Sequence, residues 1–274
     1  MKVKFYGTRG SIPVSETGFQ EFGGNTTCVC ISSLLSEDII ILDAGTGIRN
    51  LGKEIASGAW PIKGRIYLVF SHFHLDHIQG FPFFAPAYNP DQQITLTFGP
   101  TIPIKELKNI FTDLMQNQYF PVRFEDMGAY CAFRPMSHHH IDIERGKVVA
   151  SPHTHPGGAW GYRFEIDGKV VVYCTDVEHP DGINENVVSL AKDADLLIHD
   201  AQYTPEELET HKGWGHSSWE QAIAVAEQSG VKQLVLTHHD PDHDDAFLKK
   251  MEKACQERYK NCMLARDNMV IDIS

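Results

Sequence analysis

The chain has no apolar run approaching the roughly 18 residues of a membrane span. Its opening, "MKVKFYGTRGSIPV", alternates like a strand and lacks the continuous apolar stretch of a secretory leader. Both absences predict a soluble, cytoplasmic protein without membrane attachment. Six cysteines (Cys28, Cys30, Cys131, Cys174, Cys255 and Cys262) include no C-x-x-C pair and mostly stand in apolar runs, which points to buried thiols rather than disulfides or a zinc knuckle. Basic residues are few, 24 Lys and Arg against 36 Asp and Glu, for a formal net charge of -12. That balance disfavours a broad, non-specific grip on DNA or RNA, so no large nucleic-acid surface is expected, while small anions stay compatible. Repeats and low-complexity linkers are also lacking. With 274 residues at 42% hydrophobic content, one domain over residues 1–274 with a sizeable core is expected, and a homodimer is compatible with it.

What is present in quantity is histidine, and the densest group is "SHFHLDH", Ser71 to His77. The preceding Arg65 to Phe70, "RIYLVF", is β-branched and aromatic, so the histidines stand where a strand ends. The period of two sends His72 and His74 to one side and Phe73 to the other, with Asp76 and His77 following as the chain turns. Four nitrogen and oxygen donors in so small a volume suit a cation better than a solvated loop. Further donors stand at later strand ends: His153 and His155 in "HTHPGGAWGYR", Asp176 in "YCTDVEH" and His238 in "LTHHDPDHDD".

Strand-like runs are predicted at Lys2 to Tyr6, Thr26 to Ser32, Ile39 to Leu42, Arg65 to Phe70, Ile94 to Phe98, Val148 to Ser151, Gly161 to Ile166, Val170 to Cys174, Leu196 to His199, Leu234 to Thr237 and Met269 to Ile273. Helical periodicity predicts Ile104 to Gln116, Asn184 to Lys192, Ser218 to Gln228 and Ala246 to Tyr259, with Ser217 as N-cap of the third. "IDGK" predicts a tight hairpin turn. The alternation reads as α/β or α+β, helices covering sheets. Residues 100–136 are the least regular; they suit a lid near a pocket, although plain packing is expected for their aromatics.

Taken in order, "GTRGSIPV", "FGGNTTCV", "ILDAGTGI", "SHFHLDHIQG", "HPGGAWGYRFE", "YCTDVEH", "GHSSWEQA" and "LTHHDPDHDD" resemble the metallo-β-lactamase fold superfamily, and within it the ribonuclease Z-like phosphodiesterase branch, over nearly the whole chain. The resemblance implies a four-layer αβ/βα sandwich with a two-metal site along one edge. It implies one metal on His72, His74 and His155, a second on Asp76, His77 and His238, and Asp176 bridging them. His155 is preferred to His153 for its spacing before the glycine turn; His153 is then an outer or surface residue. Asp43 in "LDAG" resembles the family's supporting carboxylate, with a local cap as the alternative. His216 in "GHSSWEQA" corresponds to a histidine that faces the scissile phosphate, with simple packing beside Ser217 as the alternative.

Two divalent ions are thus the implied cofactors. Zinc suits the donors, and manganese or iron fit the same set. Asp76 would orient or deprotonate the attacking water, and His216 would stabilise the phosphoryl group or protonate the leaving oxygen. A small phosphodiester, such as a cyclic nucleotide, is the expected substrate, because no exosite arm is evident and the chain is acidic. A ribonuclease processing tRNA 3′ ends, or a thioesterase or lactonase of the superfamily, is the alternative. Phe22, Trp160 and Trp214 could stack on a base, with core packing expected for each. His138 to His140 read as a solvated loop, with incidental metal binding as the alternative.

Overall fold

Strands whose successive residues are all apolar have two faces to bury, and Ile39–Leu42 and Ile66–Phe70 are of that kind. The computed structural model describes residues 1–59, 64–100, 102–136 and 138–274. Along the chain the strands are β1 (Lys2–Gly7), β2 (Cys28–Ser32), β3 (Ile39–Leu42), β4 (Ile66–Phe70), β5 (Gln93–Phe98), β6 (Tyr130–Phe133), β7 (His140–Ile143), β8 (Gly146–His153), β9 (Ala159–Ile166), β10 (Lys169–Cys174), β11 (Leu196–Asp200), β12 (Leu234–Thr237), β13 (Cys262–Leu264) and β14 (Val270–Asp272). The helices are α1 (Ile48–Ala56), α2 (Leu75–Ile78), α3 (Ile104–Leu114), α4 (Glu185–Ala191), α5 (Pro205–Thr210), α6 (Trp219–Ser229) and α7 (Asp245–Arg258).

Two seven-stranded sheets result, ordered β14-β1-β2-β3-β4-β5-β6 and β13-β12-β11-β10-β9-β8-β7. Alternation on β10 and β11 shows how four layers are built. Val171, Tyr173, Leu196 and Ile198 face the other sheet and join Phe5, Ile41, Leu68 and Tyr162 in the central core. Val172, Cys174 and Leu197 face outward and pack against Leu190 of α4, Ala222 and Ile223 of α6, and Leu248 of α7. Helices α1 and α3 bury Ile48, Leu51, Leu107 and Phe111 against the first sheet. Strands β3 to β6 run parallel, as do β10 to β13, so their carboxyl ends gather at the edges where α/β folds place their sites.

Several local expectations need correction. The N-cap of α6 is Ser218, in a capping box with Gln221; Ser217 instead gives its amide to Asp200 Oδ1 at 2.8 Å and its hydroxyl to the Val177 carbonyl. Strands β6, β7 and β13 and helices α1, α2 and α5 lie outside the predicted set. His140 opens β7, so the three exposed histidines 138–140 lead into a sheet edge instead of forming only a loop. The "IDGK" hairpin joins β9 to β10, with Asp167 and Gly168 at φ 52° and 75°. In the segment 100–136, of which Thr101 lies outside the described residues, Phe111 and Phe124 pack in the core against Phe81 and Phe133. All six cysteines are free, five of them buried. No helix among the described residues is long and apolar enough to cross a membrane.

Arg9, fully buried, ties the loops beside the sheet edge together: Nε donates to the Gly23 carbonyl at 2.8 Å, and one terminal nitrogen to the carbonyls of Asp240 and His243 at 2.9 and 2.7 Å. Nearby, Asp267 Oδ2 accepts from the Asn25 amide and side chain, while its Oδ1 is buried without a partner. Burial outweighs these bonds and raises the Asp267 carboxyl to about 6. The fold therefore holds the proton more tightly than the unfolded chain does. This contribution to stability is complete below about pH 4, the unfolded value, and is lost as pH rises through about 6. Asp267→Asn should raise stability at pH 8 by about 1 to 2 kcal/mol and change it little at pH 4. Thermal melts at both pH values check this, and an equal gain at both would refute it.

Candidate metal centre and active site

Five strand ends deliver the site. His72 and His74 follow β4, and the short α2 turns Asp76 and His77 inward. His155 follows β8, Asp176 follows β10, Asp200 ends β11 and His238 follows β12. Asp43, Asp176 and His238 adopt left-handed backbone at φ 58°, 55° and 64°, a conformation unusual outside glycine that aims strand-end side chains sideways into one volume. Hydrogen bonds from Tyr162 hydroxyl to the Phe70 carbonyl (2.7 Å) and from the Trp160 amide to the Ser71 carbonyl (3.0 Å) pin the first histidine loop to the second sheet.

All seven expected donors come together. His74 Nδ1 and His155 Nε2 lie 3.0 Å apart, with His72 completing a group whose ligand atoms lie within 4.8 Å of one another. Asp76, His77 and His238 form a second such group, with His238 Nε2 3.3 Å from both His77 Nε2 and Asp76 Oδ2. The Asp176 carboxylate stands between them. Its Oδ1 is 3.7 Å from His72 Nε2, 3.9 Å from His155 Nε2 and 3.3 Å from His238 Nε2, while its Oδ2 is 3.2 Å from His77 Nε2.

The donor set fits divalent cations. His72 Nε2 is buried without a hydrogen-bond partner, and on His77, His238 and His155 the ring nitrogen facing away from the cluster is engaged by an outer partner. His77 Nδ1 donates to Asp43 Oδ2 at 2.9 Å, His238 Nδ1 to Gln202 Oε1 at 3.0 Å, and His155 Nδ1 to the Gly215 carbonyl at 2.9 Å. Such outer partners fix the tautomer a metal needs. Asp43 also accepts from the Ser71 amide and hydroxyl and the Tyr173 hydroxyl, so it supports the cluster instead of only capping a turn.

Electrostatics follow from burial and crowding. Burial and the neighbouring His77 hold the His72 imidazole well below its usual range. Burial pulls His77 and His238 the same way, but the carboxylates around them override it: Asp176 and Asp76 with Asp43 lift His77 well above its usual range, and Asp176, Asp76 and Asp200 bring His238 to about 9. Those imidazoles in turn hold Asp76 and Asp176 well below the usual carboxylate range against the opposing cost of burial. Protons and divalent ions thus compete for one set of atoms.

His216 lies beside the cluster. Its Nδ1 donates to Asp200 Oδ2 at 2.9 Å, and its ring stacks on His238 at 5.0 Å. Asp200 also accepts from the amides of Asp176, Gln202 and Ser217. Asp176, Asp200, His216 and His238 make a further group with ligand atoms within 4.8 Å, but the four donors already on Asp200 fit it to holding His216. Glu178, buried, accepts from the amides of Gly213 at 2.6 Å and Gly215 at 3.0 Å, and so fixes the segment that carries both the His155 partner and His216.

Asp200, Gln202 and Glu178 are absent from the residues singled out by sequence; one carboxylate in "IHDAQ" or "DVEH" carries no spacing signal. His153 is not a surface residue: it is buried and donates from Nε2 to the Thr175 carbonyl at 3.0 Å. Burial pushes it down to about 4 and the nearby His179 to about 3. Phe22 and Trp160 are core residues, at 0% and 4% exposure, but Trp214 is 60% exposed, against the packing expected of it.

Two packed sheets with helices on both outer faces and a His/Asp donor cluster at the carboxyl edge define a metal-dependent hydrolase of the metallo-β-lactamase type. The family model described as a beta-lactamase superfamily domain matches residues 39–239, and the chain belongs to that superfamily. Among curated relatives, ribonuclease Z of Prochlorococcus marinus (strain NATL1A) is 24% identical over 100% of this chain and 99% of its own length. Ribonuclease Z of Lactiplantibacillus plantarum is 39% identical over 32% of this chain, and that of Rippkaea orientalis 31% identical over 56%; the chain spans only 28% and 49% of these two. The short form of human tRNase Z superimposes with a TM-score of 0.70 at 21% identity over 100% of both chains. A diphosphatase of the PhnP family does so with 0.72 at 18% identity, over 100% of this chain and 98% of that one. At such identities the structures establish the fold alone.

The relatives named ribonuclease Z and tRNase Z overturn the expectation of a small phosphodiester or nucleotide substrate with no large nucleic-acid surface. Net charge misled because it averages the whole surface, whereas divalent ions dominate the potential at the point where a phosphate would approach.

Proposed function

We propose that the chain is a two-metal phosphodiesterase of the ribonuclease Z type, cleaving an RNA phosphodiester at the 3′ end of tRNA. Its carrying observation is the Asp200–His216 pair set directly beside seven converging donors. A thioesterase or lactonase has no comparable need for an imidazole presented to a phosphate. Relatives bearing the ribonuclease Z name along the whole chain support the reading.

The residues that would hold the ions are His72, His74 and His155 on one side, Asp76, His77 and His238 on the other, and Asp176 between. Zinc suits this donor set, and the ions supply neutralisation of phosphate charge and acidification of water. Asp76, anchored by the Ser11 amide at 2.8 Å, orients the attacking water and takes up its proton. Asp200 keeps Nδ1 of His216 occupied, so the ring offers Nε2 toward the substrate and delivers a proton from there to the leaving oxygen.

The direct test is cleavage of a tRNA precursor carrying a 3′ extension by the metal-loaded protein. Cleavage at the 3′ boundary, abolished by chelation and restored by zinc or manganese, is expected. Failure to cut the precursor, with metals bound and with hydrolysis of a thioester or lactone instead, would overturn the reading.

A further inference from the structure

Two clefts of similar size open on the donor cluster, one on each side of the turn Pro156 to Gly158. A cleft of about 360 Å³ is lined by His72, Phe73, His74, Phe98, Ile102 and Trp160. The other, of about 400 Å³, is lined by His155, Glu178, Leu208, Lys212 and Gly213. Pro156 borders both. Gly157 and Gly158 sit at φ 85° and 83°, where a side chain would strain the turn, and the bare backbone keeps the divider thin.

We propose that the aromatic cleft is a nucleobase subsite, and that it holds the nucleotide which keeps the phosphate after cleavage. The proposal rests on the phosphodiesterase reading and gives it a direction. Its wall is preformed: Phe73 packs on Phe98 at 4.7 Å and on Phe70 at 5.6 Å, and Phe98 meets Trp160 edge-on at 6.4 Å. Gly99 lets the indole lie against the backbone, since a Cβ there would come within 2.3 Å of it. Phe73 is the ring left part-exposed in the cleft, and the buried Phe98 and Trp160 brace it; a ring fixed in this way offers a base an apolar surface at little entropic cost, and stacking accepts any base.

Direction follows from the order of the imidazoles. The His155 ring contacts His74 at 4.8 Å and His216 at 5.4 Å, so it lies between the aromatic cleft and the proton donor. A phosphate over the cluster must point its leaving oxygen toward His216, and its other ester arm then runs past His74 into the aromatic cleft. Water adds to phosphorus and gives up one proton to Asp76. The bond to the leaving oxygen breaks, and that oxygen takes a proton from His216. The nucleotide in the aromatic cleft departs with the new phosphate monoester, and the leaving strand, with its hydroxyl end, lies by Lys212.

The test uses the full-length, metal-loaded protein and an RNA hairpin with a short 3′ extension, made intact or with one abasic nucleotide on either side of the scissile phosphate. Two variants narrow the cleft's function: Phe73→Leu removes a ring, and Ile102→Trp fills the space from a position remote from the donors. Each should lower kcat/KM on intact RNA by roughly 10-fold or more, the scale of losing one stacked base. On RNA abasic at the phosphate-keeping nucleotide the variants and the parent should cut equally, whereas on RNA abasic on the leaving side the variant defect should persist. A defect that persists when the phosphate-keeping base is missing, or that follows the leaving-side base, overturns the proposal. Affinity for the same RNAs with a non-cleavable phosphorothioate, read by anisotropy, must show the same pattern. Cleavage of no RNA by the parent protein defeats the phosphodiesterase reading itself, whereas normal cleavage with indifferent variants defeats only the subsite.

Discussion

Asp176→Ala protein, purified after metal-replete expression, should hold close to no divalent ion, and the parent should hold about two per chain. The expectation comes from the place of this one carboxylate. Its two oxygens face different imidazoles, Oδ1 toward His72, His155 and His238 and Oδ2 toward His77, so one substitution removes a donor from both groups. It also leaves imidazole nitrogens 3.0 and 3.3 Å apart with no anion between the two groups. The loss should exceed the roughly 10- to 100-fold cost in affinity of removing an outer partner such as Asp43. His238→Ala provides the contrast, because it strips only the group with Asp76 and His77 and should leave about one ion bound. Metal analysis by mass spectrometry checks both variants. Retention of two ions by Asp176→Ala would mean that the groups do not share a donor, and the two-ion reading would need rebuilding.

These donors were legible in the sequence because their positions carry a pattern. A β-branched run followed by "HFHLDH" states both a strand end and a crowd of ligand atoms, and the later strand ends repeat the device with fewer residues. Sheet cores were legible for the same reason: Ile39–Leu42 and Leu234–Thr237 are continuous apolar runs that only a two-faced strand needs. Edge strands were not. β7, "HIDI", has one exposed polar face and two further histidines just before it, and β13 is only "CML".

The partners of the donors were illegible for a different reason. Glu178 acts on amides 35 and 37 residues away, and Gln202 reaches a ring 36 residues away. Backbone amides carry no identity in a sequence, so a residue that works through them resembles any strand-end carboxylate. Trp214 illustrates the converse: its segment is held by Glu178 through the glycines on either side, and the indole between them is left in solvent. Left-handed backbone at Asp43, Asp176 and His238 is also a property of the packed loops, which no propensity of Asp or His alone specifies.

His216→Ala should keep both ions and the fold yet lower turnover of an RNA phosphodiester by roughly 10²-fold or more, the usual scale for losing a positioned acid or transition-state donor. Metals should stay because the His216 Nδ1 is committed to Asp200 and stands 3.9 Å from Asp176 Oδ1, outside the two main donor groups. The choice of leaving group then separates two roles. A nitrophenolate departs without a proton, so an activated diester should suffer much less than an ordinary nucleotide ester if His216 is the acid, and equally if it only stabilises charge. Asp200 sharpens the test, since it touches the substrate only through His216. Asp200→Asn should lower turnover of the ordinary ester, and the double variant should be no worse than His216→Ala alone, because groups acting as a unit are not additive. Additive losses would show that Asp200 acts elsewhere, through the Asp176 amide it also holds. Full activity of His216→Ala on both esters, with metals in place, would make the imidazole structural and remove the best support for phosphodiester chemistry outside the donor cluster.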